Sequence, residues 1–320
     1  MKVLQRRWPL SRIIRDSNPP ESFLGNAPTV TRGLTAPSNS TPIFAPRFCI
    51  TLVLILCGGR STSISGQEKF NDPVDQQFIS NLDQTSQRYV ELRPQGFDAA
   101  KPFDVVVTLH GHGSDRWQYI QQERGECRGV RKIAADLNML LVSPDYRGKT
   151  SWMGPSAEAD LMQLIDILNS EYPIRHLYLA GGSMGGTSAL IFSIHHPELI
   201  SGVLAENATA NMMEYDGFQS AIAESYNGSK DDNPEEYQRR SVELHVAKLT
   251  MPVALTVGGK DRVVPPQSVR RLASQLNMLD HPRVLLIDRP EGGHSTSFED
   301  TVKGMRFLID QVRLANQLDH

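Results

Sequence analysis

The sequence predicts an α/β fold in which helices cover both faces of a mostly parallel β-sheet. Short apolar runs alternate with stretches of helical spacing from residue 87 to residue 315, which is the pattern of successive βαβ units. Several runs, such as residues 103–110, are apolar at nearly every position, as is typical of strands buried on both faces. The chain of 320 residues is long enough for one such domain and a tail.

Residues 1–65 are predicted to be an extension outside this domain, which then occupies residues 66–320. Residues 1–47 are rich in Pro, Ser, Thr, Asn and Arg, so we expect them to be disordered. Residues 48–57 are almost purely apolar, too short for a membrane-spanning helix of about 20 residues but suited to the core of a secretory signal. We therefore expect no stable membrane span, cleavage near Ser65, and a secreted, periplasmic or cell-envelope protein. A lipoprotein signal at Cys57 and a buried strand are the alternatives.

Charge and cysteine content exclude several classes of partner and cofactor. Residues 1–65 hold eight Lys/Arg and two Asp/Glu, which leaves 25 basic and 34 acidic residues in the remainder. An acidic domain argues against binding to nucleic acid or to anionic membranes. Cys127 is the single cysteine after residue 65, and no Cys/His spacing indicates a metal site. We expect no disulfide framework, metal or cofactor.

The elements of the first half follow from apolar periodicity. Residues 66–85 are expected to be a polar lead-in, and residues 87–92 an edge strand closed by Pro94. The remaining expected elements are a strand at 103–110, a helix at 129–137, a strand at 139–143 and a helix at 157–171.

The second half repeats the same alternation, with one interruption. A buried strand ends near residue 180 and is followed by a helix that runs to residue 196. Residues 207–247 break the rhythm with polar Asn-, Gly- and Asp-rich clusters, which predicts a lid-like insertion. The other expected elements are strands at 202–205, 252–258 and 283–287 and helices at 266–276 and 301–315.

Residues 181–185, Gly-Gly-Ser-Met-Gly, fit a sharp turn between a strand and a helix. Such a turn needs glycines on both sides of its apex because the helix passes close to the strand. The hydroxyl of Ser183 would then stand clear of the backbone as a candidate nucleophile. A Gly-x-Ser-x-Gly pattern fixes only three positions and often occurs by chance. The prediction therefore depends on the flanking strand and helix and on candidate catalytic residues elsewhere in the chain.

A serine hydroxyl becomes nucleophilic when a base removes its proton and a carboxylate orients that base. The candidate base is His294, which lies in a Gly-rich loop between the last strand and the last helix. The candidate acid is Asp261, directly after the strand at 252–258, and Glu206 is the alternative. The order serine, aspartate, histidine is the one found in α/β-hydrolases.

Attack on a carbonyl also requires hydrogen-bond donors where negative charge develops on oxygen. The backbone N–H of Met184, at the start of the helix, is one candidate. The backbone N–H of His112, in the Gly-rich loop after the strand at 103–110, is the other. Trp117 and Trp152 are expected to contact the substrate.

Taken together, residues 85–316 resemble the α/β-hydrolase superfamily. The motifs LHGHG, SPDYRG, LAGGSMGG, VGGKDRVVP and EGGHS are similar to those of esterases and of the catalytic domain of prolyl-oligopeptidase-type peptidases. This resemblance implies an α/β-hydrolase fold and a Ser-His-Asp serine hydrolase that uses an acyl-enzyme intermediate. Its nucleophile, acid and base would be Ser183, Asp261 and His294, and its oxyanion donors His112 and Met184.

Peptidases of that type usually carry a large β-propeller ahead of the hydrolase domain. Fewer than 40 residues separate the expected cleavage site from Phe103, so no propeller is expected between them. We therefore expect a compact hydrolase of small-molecule or oligomeric carboxylic esters. The alternatives are a peptidase or amidase that acts on short peptides, and a non-catalytic binding protein. The sequence predicts no oligomeric state.

Overall fold

The structure is a computed structural model that describes residues 70–279, 281 and 283–318. The extension predicted at residues 1–65, with its signal-like segment at 48–57 and its cleavage site near Ser65, lies outside the described residues. Within the described part, no helix combines the length and the apolar character that crossing a bilayer requires.

A single eight-stranded sheet forms the centre of the described domain, with the strand order β1-β2-β4-β3-β5-β6-β7-β8. The two strands at the β1 edge run antiparallel to their neighbours, and all other pairs are parallel. The predicted α/β fold is therefore confirmed. The strands are β1 (Val74–Ile79), β2 (Ser86–Leu92), β3 (Phe103–Leu109), β4 (Leu140–Pro144), β5 (Ile174–Gly182), β6 (Gly202–Glu206), β7 (Val253–Gly258) and β8 (Val284–Arg289).

Helices follow most strands in the part of the chain that the structure describes. They are α1 (Gln118–Gln121), α2 (Gly125–Asp136), α3 (Pro155–Glu171), α4 (Met184–His195), α5 (Gln219–Ser225), α6 (Pro234–Arg239), α7 (Gln267–Met278) and α8 (Phe298–Leu318). Two 3-10 helices, Pro197–Leu199 and Val242–Lys248, complete the described elements. The predicted helices agree with these within a few residues at each end, and α1, α5 and α6 were not predicted.

The helices cover the two faces of the sheet. Along β3, Val105 and Val107 pack in one cluster with apolar side chains of α3, α4 and α7. Val106 points to the opposite face, where α2 and α8 supply the second cluster. Because both faces are covered, the central strands read as continuous apolar runs, which is why the sequence reveals them so clearly.

The expected polar lead-in at residues 66–85 was wrong, because it contains the edge strand β1. This strand pairs with β2 from Val74 opposite Glu91 to Ile79 opposite Ser86. All residues of β1 are exposed or half-buried, so its sequence carries little apolar alternation. The strand at 87–92, expected at the edge, therefore lies inside the sheet and is largely buried.

Residues 207–247, predicted to be a lid-like insertion, contain α5, α6 and the second 3-10 helix. Apolar side chains of this segment, among them Met212 and Ile222, belong to the larger core cluster. Arg240 is fully buried and donates a hydrogen bond of 2.8 Å to Glu158 of α3. The segment is therefore packed into the domain along much of its length.

Gly185 marks the closest approach of α4 to the sheet. A Cβ atom at this position would overlap the backbone carbonyl of Leu109, at the end of β3. We expect Gly185→Ala to lower the free energy of unfolding by about 2 kcal/mol or more, because backbone must shift to admit the methyl group. Urea denaturation measures this change.

The matched control for that experiment is Gly293→Ala, where an added methyl group meets no atom within 4 Å. Its free energy of unfolding is expected to stay within about 0.5 kcal/mol of the wild type. Equal stability of Gly185→Ala and wild type would contradict the close crossing of β3 and α4.

Candidate active site

The site lies at the edge of the sheet where the parallel strands end. Leu109, the last residue of β3, pairs with Gly181 of β5, and Gly182 pairs with Glu206 at the end of β6. The loops after β7 and β8 leave the sheet at the same edge, since Gly258 pairs with Arg289. Side chains that are far apart in sequence therefore converge here.

Ser183 occupies the apex between β5 and α4. Its backbone has φ of 58° and ψ of −123°, a conformation that costs a side-chain-bearing residue about 1–3 kcal/mol. The Ser183 N–H donates to the carbonyl of Glu206 at 2.8 Å, which helps to hold the apex. A Cβ at Gly181 would overlap Gly185, so the turn requires the glycine pattern of the sequence. Met184 is the first residue of α4, where a backbone N–H has no acceptor within the helix.

The structure brings Ser183, His294 and Asp261 together in one hydrogen-bonded chain. Nε2 of His294 lies 2.9 Å from Oγ of Ser183, across 111 residues of sequence. Nδ1 of the same ring lies 2.6 Å from Oδ2 of Asp261. Oδ1 of Asp261 accepts the backbone N–H groups of Val263 and Val264, both at 2.9 Å. The carboxyl group is thus fixed by the loop that carries it.

The protonation state of this chain follows from the surroundings of Asp261. Burial raises the pKa of its carboxyl, but the hydrogen bonds from His294 and from the Val264 N–H outweigh burial and hold that pKa below its ordinary value. Asp261 is therefore a carboxylate at neutral pH and requires a proton on Nδ1 of His294. Nε2 is then the nitrogen free to accept a proton from Ser183.

Glu206, the alternative acid, lies elsewhere in the site. Its side chain is 1% exposed, and Oε1 accepts the hydroxyl of Thr301 at 2.5 Å. Oε2 has no hydrogen-bond partner. Burial raises the pKa of Glu206 to about 8, with a further contribution from the nearby charge of Glu126. The contact of His294 with Asp261 favours Asp261 over Glu206 as the orienting carboxylate.

This raised pKa predicts a pH-dependent stability. The folded state holds a proton on Glu206 between pH 4.5 and about 8, whereas the unfolded chain releases it, so the free energy of unfolding falls as pH rises through this range. Each pKa unit corresponds to about 1.4 kcal/mol, which gives a loss on the order of 4 kcal/mol. We expect Glu206→Gln, which has no proton to lose, to abolish this component. Urea unfolding of both proteins from pH 5 to pH 9 measures it, and parallel curves would contradict the assignment.

The loop after β3 is held by hydrogen bonds on both sides of His112. The N–H of Gly111 donates to the side chain of Gln118 at 2.9 Å, and the N–H of Gly113 donates to the carbonyl of Lys149 at 2.8 Å. Neither bond uses the N–H of His112. The loop therefore presents this group as a candidate donor beside Ser183.

The two tryptophans expected to contact the substrate do not line the pocket. Trp152 is fully buried, has a positive φ of 43°, and donates its indole N–H to Nδ1 of His112 at 3.1 Å. It reaches the site through that imidazole, which also stacks on Phe218 with ring centroids 4.1 Å apart. Trp117 is half-buried beneath the guanidinium of Arg116. In this structure Trp152 acts on the site through His112, and contact of either tryptophan with the substrate stays a prediction.

A pocket of about 400 Å³ opens at Ser183. Its apolar side chains are Phe218, from the insertion, and Val263, and the remaining lining residues are polar, charged or glycine. A polar group contributed by α1, α2 and the residues between them is not among the residues predicted from the sequence. The group consists of Gln118, Gln122, Arg124 and Glu126. These residues come directly after the loop that follows β3, and this closeness in sequence to His112 could have indicated that they line the site.

Neither Cys127 nor a cluster of metal-ligating side chains belongs to the site that the structure describes. The Cys127 thiol is buried, and burial raises its pKa to about 12, so it stays protonated and unreactive at neutral pH. Among the described residues, no cluster of three or more His, Cys, Asp or Glu side chains could hold a metal ion.

The sequence model of the prolyl oligopeptidase family matches residues 129–313, which is more than half of the chain. The matched region contains Ser183, Asp261 and His294, whereas the loop around His112 lies before it. No curated protein matches the sequence.

Solved structures with a similar fold include both peptidases and esterases. A putative dipeptidyl aminopeptidase IV from Bacteroides ovatus has a TM-score of 0.60 and 16% identity, over 76% of this chain and 36% of that chain. S-formylglutathione hydrolase from Staphylococcus aureus has a TM-score of 0.58 and 14% identity, over 74% of this chain and 97% of its own. A ferulic acid esterase has a TM-score of 0.57 and 18% identity, over 75% and 97%. At identities this low, the structural similarity shows a shared fold alone. The chain spans about a third of the aminopeptidase and nearly all of the other two.

Proposed function

The chain belongs to the prolyl oligopeptidase family and is a serine hydrolase, and we propose that it hydrolyses carboxylic esters with Ser183, His294 and Asp261. The observation that carries this proposal is the hydrogen-bonded chain of 2.9 Å and 2.6 Å that joins the three side chains. Side chains in this order and at these distances are suited to activating a serine hydroxyl.

In the proposed reaction, Oγ of Ser183 attacks the ester carbonyl while Nε2 of His294 takes its proton. The Asp261 carboxylate stabilises the imidazolium that forms. The N–H groups of His112 and Met184 donate to the oxyanion, and each such donor contributes about 3 kcal/mol to lowering the barrier. His294 then protonates the leaving alcohol, and water hydrolyses the acyl-enzyme by the same steps.

Two observations bear on the choice between esters and peptides. The fold covers 97% of the S-formylglutathione hydrolase and of the ferulic acid esterase, but 36% of the aminopeptidase, which favours an ester hydrolase. The family match favours the second candidate, a peptidase or amidase that acts on short peptides.

Rates on a p-nitrophenyl ester and on p-nitroanilides, which share the aromatic leaving group, separate these two candidates. We expect kcat/KM for p-nitrophenyl butyrate to exceed that for butyryl-p-nitroanilide and for dipeptidyl p-nitroanilides by at least about a hundredfold. Ser183→Ala, purified in the same way, serves as the blank for contaminating hydrolases. Faster cleavage of a dipeptidyl anilide than of the ester would overturn the ester assignment in favour of the peptidase.

We also propose that residues 48–57 direct export of the protein. The support is the apolar run followed by small residues up to Ser65. N-terminal sequencing of protein from the extracellular or periplasmic fraction is expected to give a start near Gly66. An intact N-terminus confined to the cytosol would overturn this proposal.

A further inference from the structure

We propose that the ester substrate carries a sugar of monosaccharide size, whose hydroxyl groups bind Glu206 in the pocket beside Ser183 and Tyr119 behind the pocket wall at Gly182. This inference rests on the proposed ester hydrolysis and names the class of substrate that the pocket takes.

Two buried polar atoms have no hydrogen-bond partner, namely Oε2 of Glu206, a residue that lines this pocket, and the hydroxyl of Tyr119, which lies next to Gly182 in the pocket wall. The two side chains are 0% and 1% exposed. An unpaired buried polar group costs about 1–3 kcal/mol, so such groups are rare unless a ligand or water completes them. Two of them close to one pocket indicate a ligand with hydrogen-bonding groups.

Gly182 connects these atoms to the reaction centre. It precedes Ser183, lines the pocket, and has no side chain to fill the space beside it. The Tyr119 hydroxyl lies 3.6 Å from the position that a Cβ of Gly182 would take, and Cγ of Glu126 lies 3.9 Å from the same position. Glu206 lies opposite Gly182 in the sheet and also lines the pocket. A hydroxyl held here would lie next to the residue that carries the nucleophile.

The rest of the lining favours a ligand rich in hydroxyl groups over an aliphatic chain. Ligand pockets are usually lined mainly by apolar side chains, but here Phe218 and Val263 are the apolar ones. Amide, carboxyl and guanidinium groups occupy the wall formed by α1, α2 and the residues between them. A fatty acyl chain would remove these groups from water without pairing them. Sugar hydroxyls both donate and accept, so they suit this mixture.

The charge of the pocket favours a neutral ligand. Glu126 pairs with Arg124 at 2.6 Å, so these two charges compensate each other. Glu206 is largely protonated at neutral pH, because burial raises its pKa to about 8. Among the lining residues, no unpaired carboxylate is therefore left to bind the ammonium group of a peptide, and no unpaired guanidinium is left to bind an anion.

The reaction on such a substrate balances without any further reagent. The bond between the acyl carbon and the sugar oxygen breaks, and the acyl carbon bonds to Oγ of Ser183. The sugar oxygen takes the proton that His294 received from the serine. Water then attacks the acyl-enzyme and releases the carboxylic acid and the free enzyme.

The test compares glucose 6-acetate with cyclohexylmethyl acetate, which share the acyl group and a six-membered ring but differ in the hydroxyl groups. Acetate release gives kcat/KM for each ester. Wild type is expected to prefer the sugar ester. Tyr119→Phe is expected to lower the ratio of the two kcat/KM values about five- to tenfold, the effect of one hydrogen bond. Tyr172→Phe is the matched control. Tyr172 precedes β5, at the opposite end of that strand from Ser183, and its hydroxyl bonds to Glu91. The ratio should not change in this variant.

Glu206 provides a second, independent variant. Glu206→Leu is expected to lower the same ratio, and Glu206→Gln, which keeps polar atoms at the site, to restore most of it. Melting temperatures show whether each variant folds. An unchanged ratio in both Tyr119→Phe and Glu206→Leu, with ester hydrolysis intact, would overturn the sugar assignment and leave the proposed function standing. The same unchanged ratio is expected if the two atoms bind only a buried water molecule. Failure of the wild type to hydrolyse any ester would overturn the proposed function itself.

Discussion

Replacing Ser183 with alanine is expected to lower kcat for ester hydrolysis by about a millionfold, because the atom that forms the acyl-enzyme is removed. The hydrogen bond of 2.9 Å to His294 is lost, but the backbone that forms the turn remains. Alanine at position 183 adopts the same positive φ as serine and at a similar cost, so we expect the variant to fold. Initial rates on p-nitrophenyl butyrate, with melting temperature as the measure of folding, test this prediction.

Ser193→Ala is the matched control for that experiment. Ser193 lies on the same helix, α4, and its hydroxyl bonds to the carbonyl of Ala189 within the helix. Its loss is expected to change kcat by no more than a few fold. If Ser183→Ala kept activity within tenfold of wild type, Ser183 could not be the nucleophile.

The second large effect is expected from Asp261→Asn, which should lower kcat about ten-thousandfold. Oδ1 of Asp261 accepts two backbone N–H groups, from Val263 and Val264. The asparagine would therefore keep its oxygen on that side and turn its NH₂ group toward His294. Nδ1 of His294 must then accept a hydrogen bond, so the ring proton moves to Nε2. In that tautomer Nε2 cannot take the proton of Ser183.

The control for Asp261→Asn is Asp288→Asn, which removes a carboxylate from an ion pair with Arg270 at the surface. Its kcat is expected to match that of wild type. The rate of Asp261→Asn should recover partially at high pH, where hydroxide replaces the missing base. Near-wild-type kcat for Asp261→Asn at neutral pH would contradict its role as the orienting carboxylate.

The sequence predicted those elements whose pattern is set by burial on both faces. Residues 103–110 were recognisable because β3 lies at the centre of the sheet. In contrast, β1 is an edge strand with no fully buried residue, so its six residues resemble a polar loop. Apolar patterning reports burial, and an element that buries little leaves little trace in the sequence.

Within the site, the residues that belong to local motifs were predicted and those defined by packing were not. Ser183 and His294 lie in glycine-rich turns whose spacing is visible in the sequence. The position of Trp152 behind His112, by contrast, depends on packing of the chain after β4 against side chains of the insertion. The hydroxyl of Tyr119 and Oε2 of Glu206 are buried without hydrogen-bond partners because elements distant in sequence pack around them, and no local sequence pattern records such packing.

If Ser183 is a nucleophile activated by His294, a reagent that reacts with activated serines must label it covalently. The protein would be treated with a fluorophosphonate, digested, and analysed by mass spectrometry to locate the adduct. We expect one adduct, on the peptide that contains Ser183, and no adduct in Ser183→Ala. An adduct on a different residue, or none in protein that hydrolyses esters, would contradict this role of Ser183.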